Sequence, residues 1–144
     1  RAPVMAGFLR SQGLALRDKA GGTPTPAPAA DLVAFYFSAH WCPPCRQFTP
    51  LLKKWYGHVK ALGQSVEVVF VTGDRSEAEF ESYYKDHHGD WLAITWAQAA
   101  QREALKTRFG VRGIPALVVV DGAGKVVQPN ARADVGESAG SMIP

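Results

Sequence analysis

The two cysteines of this 144-residue chain stand close together in the run Trp41-Cys42-Pro43-Pro44-Cys45. A gap of two residues places the sulfurs about one helical turn apart, so a disulfide can form and break between them without refolding. Such a pair is typical of redox chemistry when a strand leads into it and a helix follows it. The cysteine pair is therefore the first candidate for a reactive centre.

The segments on either side of the pair have this pattern. Residues 32–37 are apolar and aromatic like a buried strand, and apolar residues recur after Cys45 at spacings of three and four. Because a residue before proline avoids the helical region, we expect Cys42 and Pro43 outside the helix and Pro44 in its first turn. Unpaired N–H groups and the helix dipole then favour a thiolate on Cys42. We assign Cys42 as the nucleophile and Cys45, one turn into the helix, as the resolving thiol.

The rest of the chain alternates between strand and helix patterns. We expect a strand at 66–72, a helix opened by the capping box Ser76 and Glu79, an extended stretch at 91–96, a helix from about Gln98 to Gly110, and a hairpin of 116–120 with 125–128. A strand–helix–strand start predicts a parallel pair, and the hairpin adds antiparallel strands. The predicted fold class is α/β, a mixed β-sheet flanked by helices.

The two ends of the chain have weaker patterns. Residues 1–30 are interpreted as an N-terminal segment with a short edge strand around 14–16 and a Pro/Gly-rich loop, and residues 31–144 as the domain. The tail after Val127 has no apolar stripe, so its helix is expected to be missing or poorly formed.

A sheet face that lacks its C-terminal helix needs another cover, because the central strands are nearly continuous apolar runs. We expect the extended tail together with the segment around Phe8 and Leu9 to supply it. The alternative is a partner protein on an exposed sheet face.

Composition excludes several classes of protein. Hydrophobic residues make up 47% of the chain, charged residues 20%, and the net charge is +3. The chain has no Lys/Arg-rich block that would indicate nucleic-acid binding and no apolar run of the roughly 18 residues that span a bilayer. Because the first residues contain no apolar stretch, we expect no secretory signal there. A lone C-x-x-C suits a reducing compartment, so we expect the cytoplasm, with the nucleus as the alternative.

Zinc binding or a structural disulfide is the competing interpretation of the cysteines. A zinc site needs a second ligand pair, and the adjacent His87 and His88 are poorly spaced to chelate one ion. We therefore expect no metal and favour a redox role.

A second motif, Gly113-Ile114-Pro115, stands directly before the predicted hairpin. A proline that follows a turn and opens a strand is consistent with a cis Ile114–Pro115 bond. This loop can lie beside the cysteine turn, where the Ile114 backbone would pair with an extended substrate segment.

Together these motifs resemble the nucleoredoxin and tryparedoxin branch of the thioredoxin superfamily. The likeness covers roughly residues 32–132 and includes the run from Phe35 to Arg46, the segment from Val69 to Glu77, Trp91-Leu92-Ala93 and Gly113-Ile114-Pro115. It implies a thioredoxin-like fold, dithiol–disulfide exchange and a cis Pro115. It also implies no bound cofactor, an external dithiol or NADPH-linked reductant, and disulfide-containing protein substrates.

Two departures from these relatives concern the site. Tryparedoxins carry a tryptophan where this chain has Gly73, which favours the nucleoredoxin side, and Tyr36 stands where thioredoxins have a buried aspartate.

The predicted substrate surface comprises Trp41, Pro43, Pro44, Ile114, Pro115 and Arg132. Trp41 is expected to form an exposed rim next to the nucleophile. Arg132 matches an arginine near the substrate in tryparedoxins. The function predicted is a protein-disulfide reductase, and the alternative is a binding module whose disulfide state controls docking to a partner protein.

Overall fold

The computed structural model describes residues 4–23 and 30–137, which form five helices and six strands. The helices are α1 (Val4–Ser11), α2 (Pro43–Ala61), α3 (Glu77–His87), α4 (Ala99–Arg108) and α5 (Ala131–Glu137). The strands are β1 (Leu16–Arg17), β2 (Leu32–Ser38), β3 (Val66–Thr72), β4 (Leu92–Ile94), β5 (Ala116–Asp121) and β6 (Val126–Gln128). None of these helices is both long and apolar enough to cross a bilayer.

The strands form one mixed sheet in the order β1-β4-β3-β2-β5-β6. β2 pairs in parallel with β3 and antiparallel with β5, so Phe35 lies between Val69 and Val118. β4 continues the parallel part, and β1 and β6 are antiparallel edge strands. The predicted α/β class is confirmed.

The apolar residues of β2 supply both faces of the sheet, because side chains alternate along a strand. Ala34 and Tyr36 face α2, α3 and α5, whereas Val33, Phe35 and Phe37 face α1 and α4. All five are buried, so the cysteine turn that follows β2 is anchored on both sides.

The N-terminal segment contributes more structure than its sequence predicts. The edge strand occurs at Leu16–Arg17, but α1 before it was not expected. Phe8 and Leu9 project from α1 into the core, and β1 pairs with β4. Phe8 and Leu9 cover a sheet face, but it is the face opposite the one on which α5 packs, so the prediction that they replace the cover of the C-terminal helix is wrong. Most of the Pro/Gly-rich loop lies outside the described residues.

The C-terminal helix is short, as the composition indicates. The tail is helical over Ala131–Glu137 rather than extended, which corrects that part of the prediction. Ala131 and Val135, four residues apart, are buried on the face opposite Phe8 and Leu9. Each face of the described sheet is therefore covered by the chain itself, as expected, and the alternative of an exposed face for a partner protein does not occur there.

Candidate active site

Cys42 is the N-cap of α2, with extended backbone angles φ −95° and ψ 111°. Its sulfur accepts a hydrogen bond from the Cys45 N–H at 3.3 Å. The prediction that Pro43 lies outside the helix is wrong, because α2 begins at Pro43. The fixed φ of proline suits the first helical turn, where no backbone donor is required.

Both cysteines are free thiols, and Cys42 is the more accessible. Cys42 is 5% exposed and Cys45 0%, which agrees with Cys42 as the nucleophile and Cys45 as the resolving thiol. Ala39 and Ile114 pack around the pair. A substrate can therefore approach the Cys42 sulfur only along a narrow path.

The Ile114–Pro115 loop lies against the cysteine turn, and the bond is cis, as predicted. The Cys42 sulfur is 3.9 Å from the Ile114 carbonyl oxygen. Arg132 donates through Nη1 to the Pro115 carbonyl at 3.4 Å. The structure thus brings two distant predicted site residues, Ile114 and Arg132, to the region of Cys42.

Trp41 forms the exposed rim that the sequence predicts, with 40% of its surface accessible. Its Nε1–H donates to the Gly73 carbonyl at 3.1 Å, and the guanidinium of Arg75 lies 4.3 Å from the ring centroid. The ring is therefore held in place beside the nucleophile.

Asp74 stabilises the loop before the cysteines through hydrogen bonds. This buried carboxylate accepts from the His40 N–H at 2.7 Å and from the Thr72 hydroxyl at 2.8 Å. Burial raises the pKa of Asp74, against these hydrogen bonds. The His40 ring stacks on Tyr83 with centroids 5.2 Å apart, so this side chain packs against α3.

Arg46 also braces this loop rather than pointing freely into solvent. Its Nη1 donates to the His40 carbonyl at 2.6 Å.

Four buried hydroxyl groups lie next to Cys45. We call Tyr36, Ser38, Thr49 and Tyr83 the hydroxyl cluster. The Thr49 hydroxyl lies 2.6 Å from those of Tyr36 and Tyr83, and Ser38 lies 2.7 Å from Tyr83. Thr49 also donates to the Cys45 carbonyl at 2.9 Å. Sequence reasoning identified only Tyr36, since the other members come from three separate elements.

The electrostatics of this region concern the Cys45 thiol. Burial raises the pKa of Cys45 to about 12, while hydrogen bonds involving the Ser38 hydroxyl and the Ala39 backbone oppose the rise. Burial also raises the pKa values of Tyr36 and Tyr83, so these hydroxyls stay protonated and cannot act as bases. Within the hydroxyl cluster, Ser38 can donate a hydrogen bond to a developing Cys45 thiolate, but none of these hydroxyls can remove its proton.

Two pockets adjoin the cysteine turn, each of about 460 Å³. The Ile114 pocket is lined by residues that include Trp41, Cys42, Gly73, Lys106, Arg112 and Ile114. The Arg132 pocket is lined by residues that include Pro44, Gln47, Phe48, Leu51, Asn130 and Arg132. Pro43 is exposed at the helix start, and Pro115 is buried. The sequence analysis did not predict Lys106 and Arg112 as site residues. Arg112 could have been identified because it stands directly before the Gly-Ile-Pro motif.

Comparisons with known proteins relate the chain to one family. A family model described as Thioredoxin-like matches residues 30–126. Nucleoredoxin from Bos taurus is 39% identical over 133 residues, covering 92% of this chain and 28% of that protein. The chain thus spans about a quarter of the length of the curated relatives it matches.

Solved structures show similarity to the same family over most of the length of both chains. Native tryparedoxin I from Crithidia fasciculata is 38% identical with a TM-score of 0.82, and 92% of each chain is covered. A thioredoxin from Wuchereria bancrofti is 41% identical with a TM-score of 0.77, and 87% of each chain is covered.

Proposed function

Because the chain belongs to the thioredoxin-like family, in the branch of the nucleoredoxins and tryparedoxins, we propose that it reduces disulfides in protein substrates. The observation that carries this proposal is the Cys42 sulfur at the start of α2, with the Cys45 N–H 3.3 Å away. A thiolate formed there is stabilised by that donor and by the helix dipole.

The proposed reaction proceeds through a mixed disulfide. The Cys42 thiolate attacks one substrate sulfur, the substrate S–S bond breaks, and the other sulfur leaves as a thiolate that takes up a proton. Cys45 then loses its proton and attacks the Cys42 sulfur, which releases the second substrate thiol and leaves a Cys42–Cys45 disulfide. An external dithiol or an NADPH-linked reductant returns the electron pair, and no bound cofactor is required.

The Ile114 backbone supports an extended binding mode for the substrate. Its carbonyl is 3.9 Å from the nucleophilic sulfur, and its N–H makes no hydrogen bond within the described part of the chain. A substrate strand can pair with these groups as in other strand-addition complexes. Trp41, Pro43, Pro44 and Arg132 would contact the residues that flank the substrate cysteine, and Pro115 would hold the loop in place.

The cellular setting follows from the redox chemistry. A dithiol that must return to its reduced state works in a reducing compartment. We therefore place the protein in the cytoplasm or nucleus, with disulfide-containing proteins and an electron-donor thiol as its partners.

Reduction of insulin by dithiothreitol, followed as turbidity, tests the proposal. The wild-type chain should accelerate the reaction, and Cys42→Ser should abolish the acceleration. Cys45→Ser should accumulate a mixed disulfide with insulin that mass spectrometry detects. Lys125→Ala, which changes a turn between β5 and β6, is the control and should retain activity. Activity that survives in Cys42→Ser would overturn the proposal, and disulfide-dependent partner binding without turnover would support the binding-module alternative.

A further inference from the structure

The Ile114 pocket carries more positive than negative side chains. Arg102, Lys106 and Arg112 line it, and Glu103 is the one acidic residue among its lining residues. Arg112 is exposed and makes no ion pair or side-chain hydrogen bond with any residue in the described ranges. Lys106 meets Glu103 only across 3.9 Å, with 42% and 75% of the two side chains exposed. The pocket therefore offers two cations that the protein itself neutralises weakly or not at all.

Arg102 adds a third positive charge from the protein interior. It is 7% exposed, and its Nη1 donates to the carbonyls of Thr95 at 2.7 Å and Trp96 at 2.9 Å. It forms no ion pair within the part of the chain that the structure describes. Carbonyls hold the guanidinium without cancelling its charge, so its field reaches the pocket through a medium of low dielectric constant.

The walls of the pocket strengthen any charge pair formed inside it. Phe37, Val71 and Ile114 contribute apolar surface next to the cations, and Cys42 lies in the same lining. Apolar walls exclude water, and an arginine can hold a carboxylate through two parallel hydrogen bonds. A carboxylate beside the reacting sulfur is the ligand that this combination fits.

Cations outside the pocket disfavour a basic ligand. Arg75 lies over Trp41 on the rim, and Arg132 reaches the Pro115 carbonyl on the other flank. Like charges placed against each other across an interface discriminate against the wrong partner.

We propose that the Ile114 pocket binds the side-chain carboxylate of an aspartate or glutamate next to the reacting cysteine of the substrate. The inference rests on the proposed function and names the substrate class of the same site. Disulfides with an acidic neighbour should be reduced faster than those with a neutral or basic neighbour.

Gly73 leaves the space that this carboxylate requires. It lines the pocket without a side chain, and the atoms nearest to a Cβ built on it are Ser38 O at 3.6 Å and atoms of the Ala39 and Ile114 side chains at 3.8 Å, all in ordinary van der Waals contact. A larger residue can therefore be introduced here, and it would fill the pocket without changing its charge.

Three peptide disulfides that differ only in having Glu, Gln or Lys beside the cysteine test the inference. Each is mixed with pre-reduced protein, and the rate of the first exchange is measured in a single turnover. We expect the Glu peptide to react about three to ten times faster than the Gln peptide and the Lys peptide to be slowest, with the differences shrinking at high salt.

Charge reversal provides the matched pair of variants. Arg112→Glu should remove or invert the preference for the Glu peptide. Lys125→Glu makes the same charge change in the turn between β5 and β6. This turn lies at the far end of β5 from Pro115, so the variant should keep the wild-type preference. Gly73→Leu should bring the rates of the Glu and Gln peptides close together by filling the pocket.

The outcomes separate this inference from the proposed function. Reduction of all three peptides at equal rates by the wild-type chain overturns the inference alone. An identical loss of preference in Arg112→Glu and Lys125→Glu also overturns it, because long-range charge would then account for the effect. Failure to reduce any of the peptides overturns the proposed function and this inference with it.

Discussion

The Cys42 sulfur lies 3.9 Å from the Ile114 carbonyl oxygen, although 72 residues separate them in the chain. The antiparallel pairing of β2 with β5 produces this contact, since Phe37 at the end of β2 is paired with Ala116 at the start of β5. The turn that follows one strand therefore meets the loop that precedes the other. Any substrate bonded to Cys42 has to pass the Ile114 backbone.

The resolving step should accelerate with pH. Burial raises the pKa of the Cys45 thiol to about 12. Below that pKa, each pH unit raises the thiolate fraction about tenfold, so release of substrate from the mixed disulfide should quicken about tenfold per unit between about pH 7 and 9. Rapid-quench measurement of the released thiol gives the rate. A release rate that stays constant over this pH range would contradict the prediction. The rate at which Cys42 first attacks the substrate disulfide, measured in Cys45→Ser, serves as the reference.

Loss of the Ser38 hydroxyl should slow the same step. The Ser38 hydroxyl lies 2.7 Å from that of Tyr83, and its hydrogen bond lowers the pKa of Cys45. A hydrogen bond to a charged group contributes about 1.5–3 kcal/mol, so Ser38→Ala should slow release of the mixed disulfide by about tenfold or more and move its pH profile upward. Tyr83→Phe should give a smaller loss.

Tyr84→Phe is the control for this pair, because it removes another buried tyrosine hydroxyl, one that donates to the carbonyls of Arg17 and Trp91. It should change the melting temperature without moving the pH profile. If the pH profile shifts equally in Ser38→Ala and Tyr84→Phe, general destabilisation of the core causes the effect.

Stability should decline in mild acid because of His88. The ring is buried, its Nδ1 accepts from Trp91 Nε1 at 3.0 Å, and burial lowers its pKa well below the usual range. Below about pH 6.5 the unfolded chain binds a proton that the folded chain does not. The free energy of unfolding should therefore fall with decreasing pH by up to about 1.4 kcal/mol per unit in this window, and His88 should contribute no slope above it.

Denaturant unfolding at several pH values measures this slope. His88→Phe should flatten it, whereas His58→Gln, which changes an exposed histidine, should leave it unchanged. A slope that is the same in His88→Phe and the wild-type chain would contradict the assignment.

The covers on the two sheet faces should each contribute to stability. Phe8 packs so closely on Gly124 that a Cβ at that glycine would collide with its ring, and Arg108 lies 5.4 Å from the ring centroid. Phe8→Ala should cost about 3–5 kcal/mol, and Val135→Ala on the other face about 1–3 kcal/mol. Leu62→Ala, at a side chain 57% exposed, should stay within about 0.5 kcal/mol of the wild-type chain. An unchanged free energy of unfolding in Phe8→Ala would contradict the role of α1 as a stabilising cover of the sheet.

The sequence by itself determined the reactive centre and its local setting. A buried strand, two cysteines separated by prolines and an apolar helix specify where the thiols lie, because each feature depends on neighbouring residues. The N-cap position of Cys42, its bond from the Cys45 N–H and the N-cap position of Ser76 are local in the same way, and all three occur in the structure. The capping box is only half formed, because the Glu79 carboxylate accepts from the Arg75 N–H rather than from that of Ser76.

Only the tertiary structure decided what surrounds that centre. α1 and α5 are short helices with small apolar faces, and packing on the sheet stabilises them where propensity alone does not. The hydroxyl cluster combines side chains from β2, α2 and α3, and the cations of the Ile114 pocket come from α4 and the loop before β5. Contacts between residues so far apart leave no periodic pattern in the chain, since strand order and crossover direction bring them together.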